Sequence, residues 1–171
     1  QAKEYDLARK IYQSINKTGI SQGDANFWIG KCYEKEAAYG EAEKYFEQSI
    51  CFEPQLKTYQ ALAATQIRQK KDELAAKSLQ RAIKSVKSIP RAVLFELHKA
   101  CGNCWLRSEK LDQAIASYKA ALEIDSKSEE LRINLGSVLL QSGLAGEAKD
   151  VFMQVIAANS KSEKALTGIA S

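Results

Sequence analysis

The chain has 171 residues, 45% of them hydrophobic and 27% charged, and a net charge of +4 with Lys and Arg interspersed among Asp and Glu. This composition excludes a fibrous or disordered chain, and the mixed charge lacks the basic stripe with aromatic interleaving that a nucleic-acid binder carries. No apolar run approaches the roughly 18–20 residues of a membrane span, so neither nucleic acid nor membrane is an expected partner.

Only two prolines and nine glycines occur among abundant Ala, Leu, Lys, Glu and Gln, which favours helix throughout. Residues 1–17 read as an amphipathic helix with Tyr5, Ala8, Ile11, Tyr12 and Ile15 on its apolar face and Lys17-Thr18-Gly19 at its end. A second helix runs from about Asp24, its expected N-cap, to Lys35. A turn at Ala38-Tyr39-Gly40 leads into a helix from about Glu41 to Phe52, and Pro54 closes that unit. The next units cover about Leu56 to Val86, Arg91 to Ile124 and Ser128 to Ala158, with turns near Lys70-Lys71-Asp72, Ser108-Glu109-Lys110 and Ser142-Gly143. Residues 161–171 begin one more helix.

The spacing of these elements is the strongest signal. Ala8, Ala42, Ala75, Ala114 and Ala148 recur at intervals of 34, 33, 39 and 34 residues. Four residues after each stands a large side chain: Tyr12, Phe46, Leu79, Tyr118 or Phe152. The first helices carry Ile29-Gly30, Leu62-Ala63, Cys101-Gly102 and Leu135-Gly136 at matching places. A small residue lets two helices approach and the large one fills the gap between them. One helix pair cannot bury its apolar face alone, but stacked pairs can. The interval of 39 carries about five extra residues around Ser88-Ile89-Pro90-Arg91. Proline suits the first turn of a helix, so Ser88 is expected to cap, and Pro90 to start, an unusually long helix ending near Arg107. Val93, Leu94, Phe95 and Leu97 lengthen its apolar surface, and the extra residues serve packing on neighbours, a break in the superhelix, or a partner patch built on Val93, Leu94 and Phe95.

Little in the chain speaks for catalysis, a metal or a cofactor. His98, Cys101 and Cys104 stand at i, i+3 and i+6, and Cys101-Gly102-Asn103-Cys104 is formally a C-x-x-C. No second such pair and no second histidine completes a zinc site, and a redox motif belongs beside a strand that the pattern lacks. The four cysteines, Cys32, Cys51, Cys101 and Cys104, fall inside helical patterns and read as reduced, buried thiols of a cytoplasmic protein. There is no Gly-rich phosphate loop and no nucleophile elbow. Glu129-Glu130 suits the start of a solvated helix.

Ile29-Gly30 with Tyr33, then Ala42, Phe46 and Pro54, and Gly102 with Trp105, then Ala114, Tyr118 and Ala121, resemble the motif of the tetratricopeptide repeat family. The resemblance covers nearly the whole chain. It implies an all-α, right-handed superhelical solenoid of antiparallel helix pairs in a single array: a lone helix over 1–17, repeats over about 23–55, 56–89, 90–127 and 128–160, and a truncated helix over 161–171. Both ends fall within repeats, so further chain beyond them is expected.

The resemblance also implies a concave face lined by the first helix of each pair and used for non-catalytic protein binding, as a scaffold or adaptor. Here that stripe holds Lys31, Lys35, Gln60, Ile67, Arg68, Lys99, Asn103, Leu106, Arg107, Asn134 and Leu140. Lys35, Arg68 and Arg107 form a basic row and Ile67, Leu106 and Leu140 an apolar one, complementary to a peptide with acidic and apolar side chains. Some family members hold the C-terminal carboxylate of chaperones with a clamp of Lys, two Asn, Lys and Arg. Lys99, Asn103, Asn134 and Lys164 fall at four of those places, and Gly168 stands where the Arg is expected. The alternative function is a regulatory module of a larger signalling or modifying protein. Self-association through Tyr5, Ile11, Leu166 and Ile169 in the terminal helices is a further expectation.

Overall fold

A computed structural model describes residues 2–15 and 21–170. The expected helix end at Lys17-Thr18-Gly19 and the side chain of Ile15 lie outside the described residues. All regular structure among them is α-helical, in two compact units, Gln1–Ile89 and Pro90–Ser171. The first unit contains α1 (Ala2–Ile15), α2 (Gln22–Lys35), α3 (Tyr39–Phe52), α4 (Leu56–Arg68) and α5 (Asp72–Ser85). The second contains α6 (Arg91–Arg107), α7 (Leu111–Ile124), α8 (Glu129–Gln141), α9 (Ala145–Ala158) and α10 (Glu163–Ala170). Within each unit every helix packs on the next one in sequence.

The recurring residues are the core. Ala42, Phe46, Ala75, Leu79, Ala114, Tyr118, Ala148 and Phe152 are all buried, as are Ile29, Leu62, Cys101 and Leu135 on the first helices. In three of the four pairs the contact between first and second helix is a ring laid on a glycine. A Cβ placed on Gly30 would stand 2.7 Å from Phe46, on Gly102 2.4 Å from Tyr118, and on Gly136 2.6 Å from Phe152.

One turn geometry joins first to second helix in all four pairs. The residues two beyond the helix ends, Ala37, Lys70, Glu109 and Gly143, have φ of 58°, 59°, 59° and 76°. Each turn carries the paired hydrogen bonds of a Schellman motif. In the third pair, for example, Lys110 N donates to Trp105 O at 2.9 Å and Glu109 N to Leu106 O at 3.0 Å. The four helix pairs thus share one backbone hinge, although only the last has the glycine that such a φ favours.

Several local expectations change. Asp24 is not the N-cap of α2: Ser21 is, accepting from Asp24 N at 3.1 Å, because α2 begins two residues earlier than its apolar pattern suggests. Ser88 does not cap α6. Pro90 occupies the N-cap with ψ of 141°, and the helix begins at Arg91. The proline ring restricts Ile89 to extended backbone, so the helix does not begin before Pro90. At 17 residues α6 ends at Arg107 as expected, and Val93, Leu94 and Phe95 are half-buried along it. Its first turn is tied to the end of α7 by Arg91, whose Nη2 donates to Ile124 O at 2.7 Å. Cys51 is exposed on α3, unlike the buried Cys32, Cys101 and Cys104, because its place faces away from the packed ring of Phe46. Ile11, expected on the packed face of α1, is exposed together with Leu7, while Tyr12 turns to stack on Trp28 at 6.3 Å.

Candidate interaction surface

In the first unit the surface stripe of the first helices runs along α2 and α4. Several of its charges are matched within the surface. Lys57 Nζ lies 2.7 Å from Asp24 Oδ1 and 4.9 Å from the centroid of the Phe27 ring. That hydrogen bond holds the Asp24 carboxyl below the usual carboxylate range. Glu34, 8% exposed, takes Lys31 as a close partner, and Arg68 Nη1 stands 3.6 Å from its other oxygen. Arg68 also reaches over the Tyr39 ring at 5.9 Å. Of the predicted residues here, Lys35, Gln60, Ile67 and Arg68 are exposed and Lys31 is half-buried. The structure therefore brings Lys31 and Arg68 together on one buried carboxylate. Glu34, which is not among the stripe residues named above, is their common counter-ion.

Trp28 is a residue that sequence reasoning passed over. It is 45% exposed, stacks on Tyr12 and meets Phe27 edge-on at 5.2 Å. The available signal was its place one residue after Phe27, equivalent to that of Asn134 on α8.

In the second unit the stripe follows α6, α8 and α10. On α6, Lys99, Asn103 and Arg107 succeed one another at four-residue steps and so share a face. Lys99 Nζ lies 3.0 Å from Glu96 Oε2, Asn103 Oδ1 accepts from the Tyr118 hydroxyl at 2.6 Å, and Arg107 Nη2 donates to Cys104 Sγ at 3.3 Å. Leu106 is half-buried beside them. Between α8 and α10 lie two adjoining clefts. One, of about 510 Å³, is lined by Ile133, Asn134, Glu130 and Lys164. The other, of about 560 Å³, is lined by Ile133, Ser137, Leu140, Lys164, Thr167 and Gly168. Asn134 and Leu140 thus come together with Lys164 around Ile133. The foot of this region is fixed by Glu129, whose carboxylate accepts from Ser162 Oγ at 2.8 Å and from Asn159 Nδ2 at 3.0 Å. The hydrogen bonds from Asn159 and Ser162 hold Glu129 below its usual pKa.

The clamp arrangement lacks its arginine for a physical reason. A Cβ at position 168 would stand 2.5 Å from the Phe152 ring, so a side chain there displaces part of the core.

The Cys101–Cys104 pair lies in the packed core. Both thiols are buried, and burial pushes Cys101 above its usual pKa. Burial lowers His98, with Glu123 opposing. Among the described residues no group of three or more His, Cys, Asp or Glu side chains is placed to hold a metal ion, and no helix is long and apolar enough to cross a membrane.

Helix pairs packed one on the next in this way define a helical repeat protein. Sequence models of the tetratricopeptide repeat family match residues 106–170 and residues 23–55. The chain belongs to the tetratricopeptide repeat family, whose members are generally non-catalytic scaffolds for protein–protein interaction. No curated protein sequence matches it. Among solved structures, YrrB, described as a TPR protein with an unusual peptide-binding site, is similar with a TM-score of 0.68 and 20% identity over 99% of this chain and 85% of its own. MamA is similar with a TM-score of 0.66 and 19% identity over 94% and 91%. MamA from residue 41 onward, from Desulfovibrio magneticus RS-1, reaches a TM-score of 0.59 at 15% identity over 93% and 97%. At these identities the likeness concerns the fold.

Proposed function

We propose that this chain is a scaffold that binds a peptide segment of a partner protein on its first-helix face, with the second unit making the principal contacts. The observation that supports this reading most is the pair of adjoining clefts between α8 and α10, where Ile133 and Leu140 offer an apolar seat and Asn134 and Lys164 polar edges. Apolar pockets with a few convergent polar groups are the usual form of a peptide subsite. The YrrB likeness agrees with a peptide ligand but does not identify it.

The partner is read by hydrogen bonds and an apolar anchor more than by net charge. Arg68 and Lys31 share Glu34, Lys57 faces Asp24, and Lys99 faces Glu96. An acidic side chain on the partner gains from Lys35, at the end of α2, and competes with internal carboxylates elsewhere.

A pull-down comparing the wild-type chain with Arg68→Glu plus Arg107→Glu and with Leu140→Glu tests the reading. Loss of partners with Leu140→Glu at unaltered helicity supports it. Retention of every partner by both variants, again at unaltered helicity, contradicts it.

A further inference from the structure

Of the four complete helix pairs, only the third has a hydroxyl on its second-helix anchor: Tyr118, where the others have Phe46, Leu79 and Phe152. Only the third also has an amide immediately after the small residue of its first helix: Asn103, where the others have Lys31, Ala64 and Ser137. These two meet. The Tyr118 ring is buried against Gly102, and its hydroxyl, buried with it, donates to Asn103 Oδ1 at 2.6 Å.

The Asn103 amide turns its oxygen to the Tyr118 hydroxyl. An O–H···O bond spans about 2.5–3.0 Å, whereas N–H···O bonds centre near 2.9–3.0 Å and rarely fall below about 2.7 Å. The 2.6 Å separation falls in the first range. Burial keeps the phenol protonated by pushing its pKa up to about 12, so it remains a donor at any working pH. An amide whose oxygen is engaged has its two Nδ2 hydrogens left to offer. Asn103 is half-buried, between Lys99 and Arg107 on the same face.

We propose that Tyr118 is a positioning residue: its hydroxyl locks the Asn103 amide so that Nδ2 donates to a carbonyl oxygen of the bound peptide. The role rests on the peptide-binding reading above and adds to it one oriented donor. In the fourth pair the equivalent places hold Ser137 and Phe152, so no hydroxyl-to-amide pair forms there.

The test uses the full 171-residue chain and a synthetic peptide selected on it from a random phage-displayed library. Tyr118→Phe is expected to fold, since Phe46 and Phe152 already fill equivalent places. In its ¹⁵N spectrum the Asn103 side-chain amide pair should shift, and peptide affinity should fall about tenfold, the scale of one lost hydrogen bond in a dry contact. Asn103→Asp keeps an acceptor for Tyr118 but turns an anion toward the peptide, so it should weaken binding at least as much. The double variant should be no weaker than Asn103→Asp alone.

An Asn103 amide signal unmoved by Tyr118→Phe overturns the positioning role. So does weakening by Tyr118→Phe without weakening by Asn103→Asp, since the ring then acts through packing. Peptide binding that survives both changes but is abolished by Leu106→Glu or Leu140→Glu overturns the positioning role and leaves the surface standing. Binding indifferent to all four substitutions, or a chain that selects no peptide, overturns the surface and the positioning role together.

Discussion

The Tyr118 ring lies so close over Gly102 that a Cβ at that position would stand 2.4 Å from Cε1. The same contact recurs at Gly30 with Phe46 and at Gly136 with Phe152, yet the second pair has Ala63 and Leu79 at the corresponding places. The small and large residues therefore trade volume across the helix pair. Gly102→Ala should cost about 1–3 kcal/mol through overpacking, despite alanine's better helix propensity. Gly102→Ala combined with Tyr118→Leu should recover part of that loss relative to the sum of the single changes. A double-mutant cycle from urea denaturation measures it.

The shared turn makes a second prediction. Glu109 sits at φ 59° where the fourth pair has Gly143. A non-glycine residue pays about 1–2 kcal/mol for that conformation, and glycine gives back part of it as unfolded-chain entropy. Glu109→Gly should therefore raise stability by about 0.5–1 kcal/mol, and Gly143→Ala should lower it by about 1 kcal/mol. Shifts in denaturation midpoint at constant m-value check both.

On the first unit, Glu34 is the common counter-ion of Lys31 and Arg68. Glu34→Gln leaves two cations facing each other across a neutral amide. Stability should fall by about 1–2 kcal/mol, less than for a fully buried pair because Arg68 is half in solvent. The loss should shrink in high salt, which screens the exposed guanidinium. Denaturation at low and high ionic strength reads both effects.

Acid should loosen α10 before the rest of the second unit. Glu129 is held below its usual value of 4.5 by hydrogen bonds from Asn159 and Ser162. A depressed carboxylate stabilises the fold above its unfolded pKa, and that contribution is lost as pH falls through the lower folded value. Amide exchange along 163–170 should accelerate in that acidic window, and Glu129→Gln should show the faster exchange already at neutral pH.

The repeats were legible because their determinants are local. The Ala-x-x-x-large spacing and the paired glycines mark which faces must meet, and helix ends follow to within two residues. Ser21 and Pro90 as caps were not legible, because a cap depends on where backbone leaves the helix rather than on side-chain type. The stripe residues could be named, but their partners could not. Glu34 with Arg68 and Tyr118 with Asn103 join different helices, and no periodicity within one helix reports such pairing. Trp28 was missed because the ring it stacks on, Tyr12, lies on another helix.

The central claim is that a partner peptide lies on the first-helix face of the second unit. Chemical-shift mapping with the library-selected peptide tests it most directly. The largest perturbations should fall on Asn103, Leu106, Asn134, Leu140 and Lys164, and Leu140→Glu should abolish them. Perturbations confined to α7 and α9, with binding unaffected by Leu140→Glu, would contradict the account.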